Sequence, residues 1–315
     1  MNPSSTPALT DQLATGLSLL DSAALAQAAE LEIMARRVVE GSLSGVHRSP
    51  YQGTSVEFAE HRQYAPGDDI RHLDWKVLGR TDRYVIKRYQ QETNFTCHLL
   101  LDASGSMSYQ SFDNPGRGPR IQYARRLCAC LAYAVLRQQD AVSLNVFNEQ
   151  LQVRIPPTGN FGSIGQIVQE LVRVGPSGQT RLAHSLHELA GKLKRRSIVV
   201  VVSDFLDDEE AAIGGINHLA FLGHEVIVFH TLDPDEIDFN MPGPIRFEGI
   251  EDELLLTTNP ADLRASYLAE LNLFLDRIRR GCGGTRSHYV PVDTSKPLAE
   301  MLGTYLSFRA AATAH

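Results

Sequence analysis

Hydrophobic positions fall into two textures along the chain. From Phe95 onward, short aliphatic runs alternate with stretches whose apolar residues recur every three or four positions, the spacing of a helix with one buried face. The runs FTCHLLLDA (95–103), AVSLNVFN (141–148), LQVRIPP (151–157), SIVVVVSDF (197–205) and EVIVFHTLD (225–233) read as strands. Helical stretches fall around 119–138, 161–173, 181–195, 208–222, 260–280 and 296–309. Two of the strand runs are nearly unbroken aliphatics, as expected where helices cover both faces of a sheet. The pattern predicts an α/β fold built on a doubly wound, mainly parallel sheet. The runs at 141–148 and 151–157, joined through Glu149 and Gln150, also fit a hairpin that gives the sheet one antiparallel edge. Residues 233–258 break the simple alternation and read as a loop with an extra hairpin.

Upstream of Phe95 the pattern is different. Residues 1–10 are small and polar. Ala24, Ala28, Leu31, Ala35 and Val38 then share one helix face that Gly41 can terminate. From about 42 to 94 come short pieces rich in Gly, Pro and Tyr, in which Leu73, Trp75 and Val77 alternate like a half-buried strand. The expected organisation is an N-terminal helix plus small β unit over 1–94 and an α/β domain over 95–315.

Composition narrows the function. The chain has 315 residues, 43% of them hydrophobic and 21% charged, which suits a folded chain with a substantial core. Its net charge of -7 lacks the broad pull on phosphate that nucleic-acid and anionic-membrane binders show, an argument that a local basic patch escapes. Lys192, Lys194, Arg195 and Arg196 form a local basic cluster, read here as cations complementing a helix C-terminus. Cys97, Cys128, Cys130 and Cys282 make neither a CxxC pair nor a dense framework, so a reducing, cytoplasmic setting is expected. No run of 18 uncharged apolar residues and no signal-like N-terminus is present, so neither export nor membrane spanning is expected.

In an open α/β sheet, ligands bind beyond the carboxyl ends of the strands. Asp102, Ser104 and Ser106 follow the first α/β strand, Asp204 ends the most apolar one, and Thr180 stands just before a predicted helix. All five offer oxygen and none offers nitrogen or sulfur, a donor set that selects Mg²⁺, Mn²⁺ or Ca²⁺ over zinc or copper. Each residue also has a local structural role open to it. The serines and Thr180 can cap helices, and a strand-end aspartate can accept loop amides.

The same residues, Asp-x-Ser-x-Ser in DASGSM followed by Thr180 and Asp204, resemble the metal-ion-dependent adhesion site of von Willebrand factor A domains. The resemblance extends upstream. GVHRSPYQGTSVEFAEHRQYAPGDDIRHLDWK (45–76) and RYVIKRYQQE (83–92) are similar to the bacterial domain-of-unknown-function 58 proteins, in which such a block precedes a von Willebrand factor A-like domain. The tail HYVPVDTSKPLAEMLGTYL (288–306) is similar to the end of that family, whereas Leu78-Gly79-Arg80 departs from its common Ser-Ala-Arg. The resemblance implies that Ser104, Ser106 and Thr180 bind the ion directly, that Asp102 and Asp204 supply charge and orient water, and that one position stays open for a partner's Asp or Glu. It further implies a non-enzymatic, Mg²⁺-dependent interaction module whose partner is a MoxR-type AAA+ ATPase, acting in assembly or maturation of protein complexes. Asp68, Asp69, Arg71, Asp74, Trp75 and Arg80 are expected to form a docking element between the units or a partner surface.

The main rival is a Mg²⁺-dependent phosphatase or phosphotransferase with Asp102 as nucleophile. Such chemistry wants a second Asp two residues on, where this chain has Ser104. GPSGQT lacks the lysine of a phosphate loop, and no GxSxG elbow accompanies the serines. His184 and His187 share a helix face but lack a third zinc ligand in the sequence.

Overall fold

A computed structural model describes residues 56–63, 77, 79–80, 84–91, 95–111, 118–250, 255–284 and 287–313. Two compact units are distinguished, one within Arg36–Asn94 and the other containing Phe95–His315; the expected first unit over 1–94 is not one body, because residues 1–35 group with the second. In the first, β1 (Val56–Gln63) and β2 (Val85–Gln91) pair antiparallel, with an irregularity between Phe58 and Glu60. Val77, Gly79 and Arg80 are helical, so the alternation through Leu73 and Trp75 does not reach Val77 as a strand. Leu73 and Trp75 themselves, and the helix face at Ala24 to Val38, lie outside the described residues.

The second unit is organised by β3 (Thr96–Asp102), in which six consecutive residues from Cys97 are buried. Aliphatic side chains projecting to both faces force helices onto both sides. Around it a six-stranded sheet runs in the order β10-β7-β6-β3-β4-β5. The other members are β4 (Ala141–Phe147), β5 (Leu151–Thr158), β6 (Ile198–Ser203), β7 (Glu225–Leu232) and β10 (Ser287–Asp293). All neighbours are parallel except β4 and β5, which form the hairpin that the two-residue spacing allowed.

Helix α1 (Arg120–Arg137) packs on β3, β4, β6 and β7. On the opposite face, Leu100, Val199, Val201, Val226 and Val228 share a core with α3 (Leu182–Lys192), α4 (Glu209–Phe221) and the last turns of α6 (Pro260–Gly283). Helix α2 (Ile164–Arg173) adjoins α1, and α7 (Leu298–Thr313) closes the chain. Between β7 and α6, the irregular 233–258 region holds a five-residue helix, α5 (Pro234–Asp238), and the antiparallel pair β8 (Ile245–Glu248) and β9 (Leu255–Thr258). The parallel edge strand β10 is an addition to the pattern. Pro291 in its middle weakens the strand signal, and an edge position tolerates the missing donor.

This strand order creates a switch point. The chain leaves β3 toward β4 on one side, whereas it leaves the adjacent β6 toward β7 on the other. The helices that follow them diverge, opening a crevice at the carboxyl ends of β3 and β6.

Neighbouring glycines in α4 report how closely α3 and α4 approach. A Cβ at Gly215 would lie 2.8 Å from Leu186 Cβ, while one at Gly214 meets nothing within 4 Å. Gly215→Ala is expected to destabilise the fold by about 1–3 kcal/mol through overpacking. Gly214→Ala should stabilise it by roughly 0.5–1 kcal/mol through helix propensity. Urea unfolding of both variants checks the contrast.

Candidate metal centre

The crevice is lined by residues that the strands carry there by register. Leu101 of β3 lies opposite Val202 of β6, so Asp102 and Ser203 are neighbours across the parallel pair. Ser203 Oγ donates to Asp102 Oδ2 at 2.6 Å, and the Ser104 amide donates to Asp102 Oδ1 at 2.9 Å. Both carboxylate oxygens are thereby held in place. The chain then turns through a 3-10 segment, Gly105–Ser108, that folds Ser106 back so that its Oγ lies 3.0 Å from Ser104 Oγ.

Thr180 reaches the same edge through its loop. Gly105 N donates to Gly178 O at 2.8 Å and Ser177 N to Ala103 O at 2.8 Å, stitching the loop to the turn after β3. From the other side, Asn148 Nδ2 donates to Ser177 O at 3.0 Å. Gly178 has φ +72°, which few other residues adopt without strain. Asp102, Ser104, Ser106, Thr180 and Asp204 are all buried, with exposures of 0, 0, 3, 7 and 2%.

The simpler local roles fit these residues unevenly. Ser104 sits at the cap position of the 3-10 segment, yet its side chain makes no capping hydrogen bond. Thr180 is not the N-cap of α3; that position belongs to Arg181, and the Ala183 amide is met instead by Asp207 Oδ2 at 3.1 Å. Asp204 does accept a loop amide, Leu206 N, at 3.3 Å.

Asp204 also has a partner that sequence reasoning missed. Arg120 Nη1 donates to Asp204 Oδ2 at 2.6 Å, and its Nη2 lies 2.7 Å from Glu236 Oε2. Burial opposes the charge of this arginine, but Glu236 and Asp204 outweigh it and hold the guanidinium protonated. Arg120 is the first residue of α1, where a cation opposes the helix dipole. That misplacement was the available signal that the side chain serves something else.

His230 is the other missed residue. Its Nε2 lies 2.9 Å from the Asp204 carbonyl oxygen, which can only accept, so Nε2 carries the proton. Nδ1 therefore accepts from the Tyr289 hydroxyl at 2.7 Å. Burial pushes the imidazole down to about 3, so His230 acts as a neutral brace for the Asp204 backbone.

Electrostatically, the cluster has more carboxylates than cations. Burial first, and the negative charge of Asp204 second, push the Asp102 carboxyl up to about 7, against the Ser203 and Ser104 hydrogen bonds. Asp204 and Glu236 share the Arg120 guanidinium while Asp102 has only hydrogen-bond donors, so carboxylates outnumber cations and a bound cation would offset the excess.

The donor set fits a hard ion. Adjacent oxygens of an octahedral Mg²⁺ shell at 2.0–2.1 Å lie about 2.9 Å apart, close to the separation of the two serine hydroxyls. Among the described residues, no group of three or more His, Cys, Asp or Glu is arranged to hold a metal. His187 lies against His218, Nδ1 to Nδ1 2.9 Å, while His184 lies 3.9 Å from Glu188.

Of the residues expected to form a docking element, Arg80 is exposed in a helical turn. Asp68, Asp69, Arg71, Asp74 and Trp75 lie outside the described residues.

A family model described as "Protein of unknown function DUF58" matches residues 60–272. Uncharacterized protein Rv1480 of Mycobacterium tuberculosis and uncharacterized protein Mb1516 of Mycobacterium bovis are each 25% identical over 265 residues, covering 80% of this chain and 80% of the relative. Among solved structures, the conserved hypothetical protein BatB from Bacteroides thetaiotaomicron aligns with TM-score 0.42 at 18% identity, over 69% of this chain and 99% of that one. An aerotolerance-related membrane protein from Bacteroides fragilis, carrying multiple mutations to serine, aligns with TM-score 0.40 at 19% identity, over 68% and 99%.

Arg120→Ala would leave buried Asp204 and half-buried Glu236 without their shared cation. It is expected to destabilise the fold by about 3–5 kcal/mol. Arg126→Ala, at an exposed position on the same helix, should change little. Chemical denaturation of the two variants distinguishes a structural cation from a surface one.

Proposed function

For a chain that belongs to the DUF58 family, we propose a non-enzymatic function: divalent-cation-dependent gripping of a protein partner by a von Willebrand factor A-like domain. The observation that carries this reading is the pair of buried hydroxyls, Ser104 Oγ and Ser106 Oγ, 3.0 Å apart beside a fully oriented Asp102 at the switch point of the sheet. In it, Ser104, Ser106 and Thr180 hold Mg²⁺, with Mn²⁺ or Ca²⁺ as substitutes, and Asp102 and Asp204 supply charge. Bound there, the ion offers an electrophilic position to a carboxylate of the partner.

The chain's own residues do the rest. Ser203 and the Ser104 amide fix the orientation of the Asp102 carboxylate beside the two serine hydroxyls. Arg120 restrains one oxygen of Asp204 and limits the negative charge, so that the ion stays electron-poor enough to attract an outside acid. His230 holds the Asp204 backbone. An interaction module needs a rigid site of this kind more than it needs a mobile proton carrier.

Phosphoryl transfer has less support. Asp102 is fully buried and both its oxygens already accept hydrogen bonds, which leaves it poorly placed to attack phosphorus. The proposed partner is a MoxR-type AAA+ ATPase presenting an Asp or Glu, with the pair serving assembly or maturation of other complexes. A cytoplasmic location accords with four buried cysteines, none in a disulfide. Among the described residues no helix is long and apolar enough to cross a membrane.

Titration calorimetry with Mg²⁺ and Mn²⁺ tests the site. Asp102→Ala, and Ser104→Ala combined with Ser106→Ala, are expected to abolish binding heats while the circular dichroism stays native. Ser203→Ala, which removes only the orienting hydroxyl, should weaken affinity by about 10–100-fold. Heats equal to wild type in the Asp102 and double-serine variants refute the metal assignment. Affinity capture in Mg²⁺ against EDTA then identifies the partner; capture indifferent to EDTA contradicts a metal-mediated grip.

A further inference from the structure

The amino ends of the strands, at the pole opposite the crevice, carry a feature that the proposed function does not use. Helix α3 ends at Lys192, with Leu193 already extended at ψ 119°. Lys194, Arg195 and Arg196 therefore lie beyond the helix in an exposed loop, and only Lys192, paired with Glu188 at 2.6 Å, stands in the last turn. The helix-dipole explanation drawn from the sequence covers Lys192 and leaves the other three unexplained. Among the described residues, none of the three has an acidic partner within ion-pair distance.

The neighbouring loop, before β7, presents apolar side chains. Phe221, the last residue of α4, is 88% exposed and Leu222 is 45% exposed. A tight turn fixes them: Leu222 N donates to His218 O at 3.1 Å, Gly223 N to Ala220 O at 3.0 Å and His224 N to Leu219 O at 3.1 Å, with Gly223 at φ +91°. The two loops touch. Glu225 N donates to Ser197 O at 3.0 Å, and a Cβ added at Gly223 would lie 3.1 Å from Arg196 Nε. The α4 core stripe, Ala212, Gly215, Ile216, Leu219 and Ala220, does not include Phe221, so packing does not account for the aromatic.

We propose that Lys194, Arg195 and Arg196, together with Phe221 and Leu222, form a docking surface for an anionic lipid bilayer. The chemistry is that of peripheral membrane attachment, in which cations bind lipid phosphates while a short apolar tip enters the headgroup boundary. Two apolar side chains at the tip of a rigid turn favour lipid over nucleic acid, because Phe221 could stack on a base but Leu222 could not. Charge also sets the orientation. The chain as a whole carries a net -7, so an anionic surface repels most of the molecule and attracts this pole. The amino and carboxyl ends of a parallel sheet face opposite directions, so the crevice at Asp102 would point away from the bilayer and remain open to a partner.

Attachment at this pole is independent of the metal site, and the test keeps the two apart by working in EDTA throughout. The full chain is sedimented with vesicles of phosphatidylcholine alone or mixed with one third phosphatidylglycerol. Binding is expected only to the anionic vesicles and is expected to fall in high salt. Lys194→Ser/Arg195→Ser/Arg196→Ser should weaken binding at least about tenfold. Phe221→Ser should weaken it severalfold, whereas Val153→Ser, at a 50% exposed residue of β5, should leave it unchanged. Thermal melts verify folding, and Arg195→Ser alone serves as the charge variant if the triple change unfolds the protein. No binding to the anionic vesicles, binding insensitive to Phe221→Ser, or tighter binding to a single-stranded oligonucleotide than to vesicles overturns the proposal.

Discussion

Asp102 ends β3 and Asp204 directly follows the adjacent β6, and the cost of burying two carboxylates side by side is the constraint around which the crevice is built. Two buried carboxylates at this range are tolerated only with compensation. The chain supplies part of it. Ser203 and a backbone amide hold one carboxylate, Arg120 neutralises the other, and the arginine is in turn shared with Glu236. What remains is negative, lined with serine hydroxyls and located where the winding of the sheet reverses. A hard dication would complete that balance, which is why the proposed metal-dependent grip suits the arrangement better than a nucleophile does.

The same compensation ties the site to the rest of the domain. Arg120 belongs to the helix that covers one face of the sheet, Glu236 to the short helix after β7, and His230 to β7 itself. Tyr289 on the edge strand donates to His230, which braces the backbone of Asp204. Four elements thus converge on one aspartate. At the opposite pole nothing similar occurs: three cations and a protruding phenylalanine have no role in the core. A grip at one end of the sheet and an attachment surface at the other would hold a partner at a fixed distance from a bilayer.

Local pattern made much of this readable in advance. The run at 95–103 became β3 over Thr96–Asp102, and the helix at 119–138 became α1 over Arg120–Arg137, because burial on both strand faces and a 3.6-residue stripe are written in consecutive residues. The stretch 181–195 was read three residues too long. Leu193 turns extended at the end of α3, and the basic residues after it look helical only by composition. Strand β10 escaped notice because Pro291 interrupts it. The oxygen-bearing residues at strand ends were visible as chemistry. Their supports were not: Arg120 meets Asp204 across 84 residues, and Ser203 meets Asp102 across 101, contacts that only the strand order brings about. Asp68, Asp69, Arg71, Asp74 and Trp75 fall outside the described residues.

The central claim is that one hard cation sits between the turn after β3 and the loop carrying Thr180. It is tested most directly by the anomalous difference density of crystals grown with Mn²⁺. A single strong peak within direct coordination distance of both Ser104 Oγ and Ser106 Oγ is the expected result. A crevice without a peak at saturating Mn²⁺, or a peak bound elsewhere while Ser104 and Ser106 remain hydrogen-bonded only to each other, contradicts it.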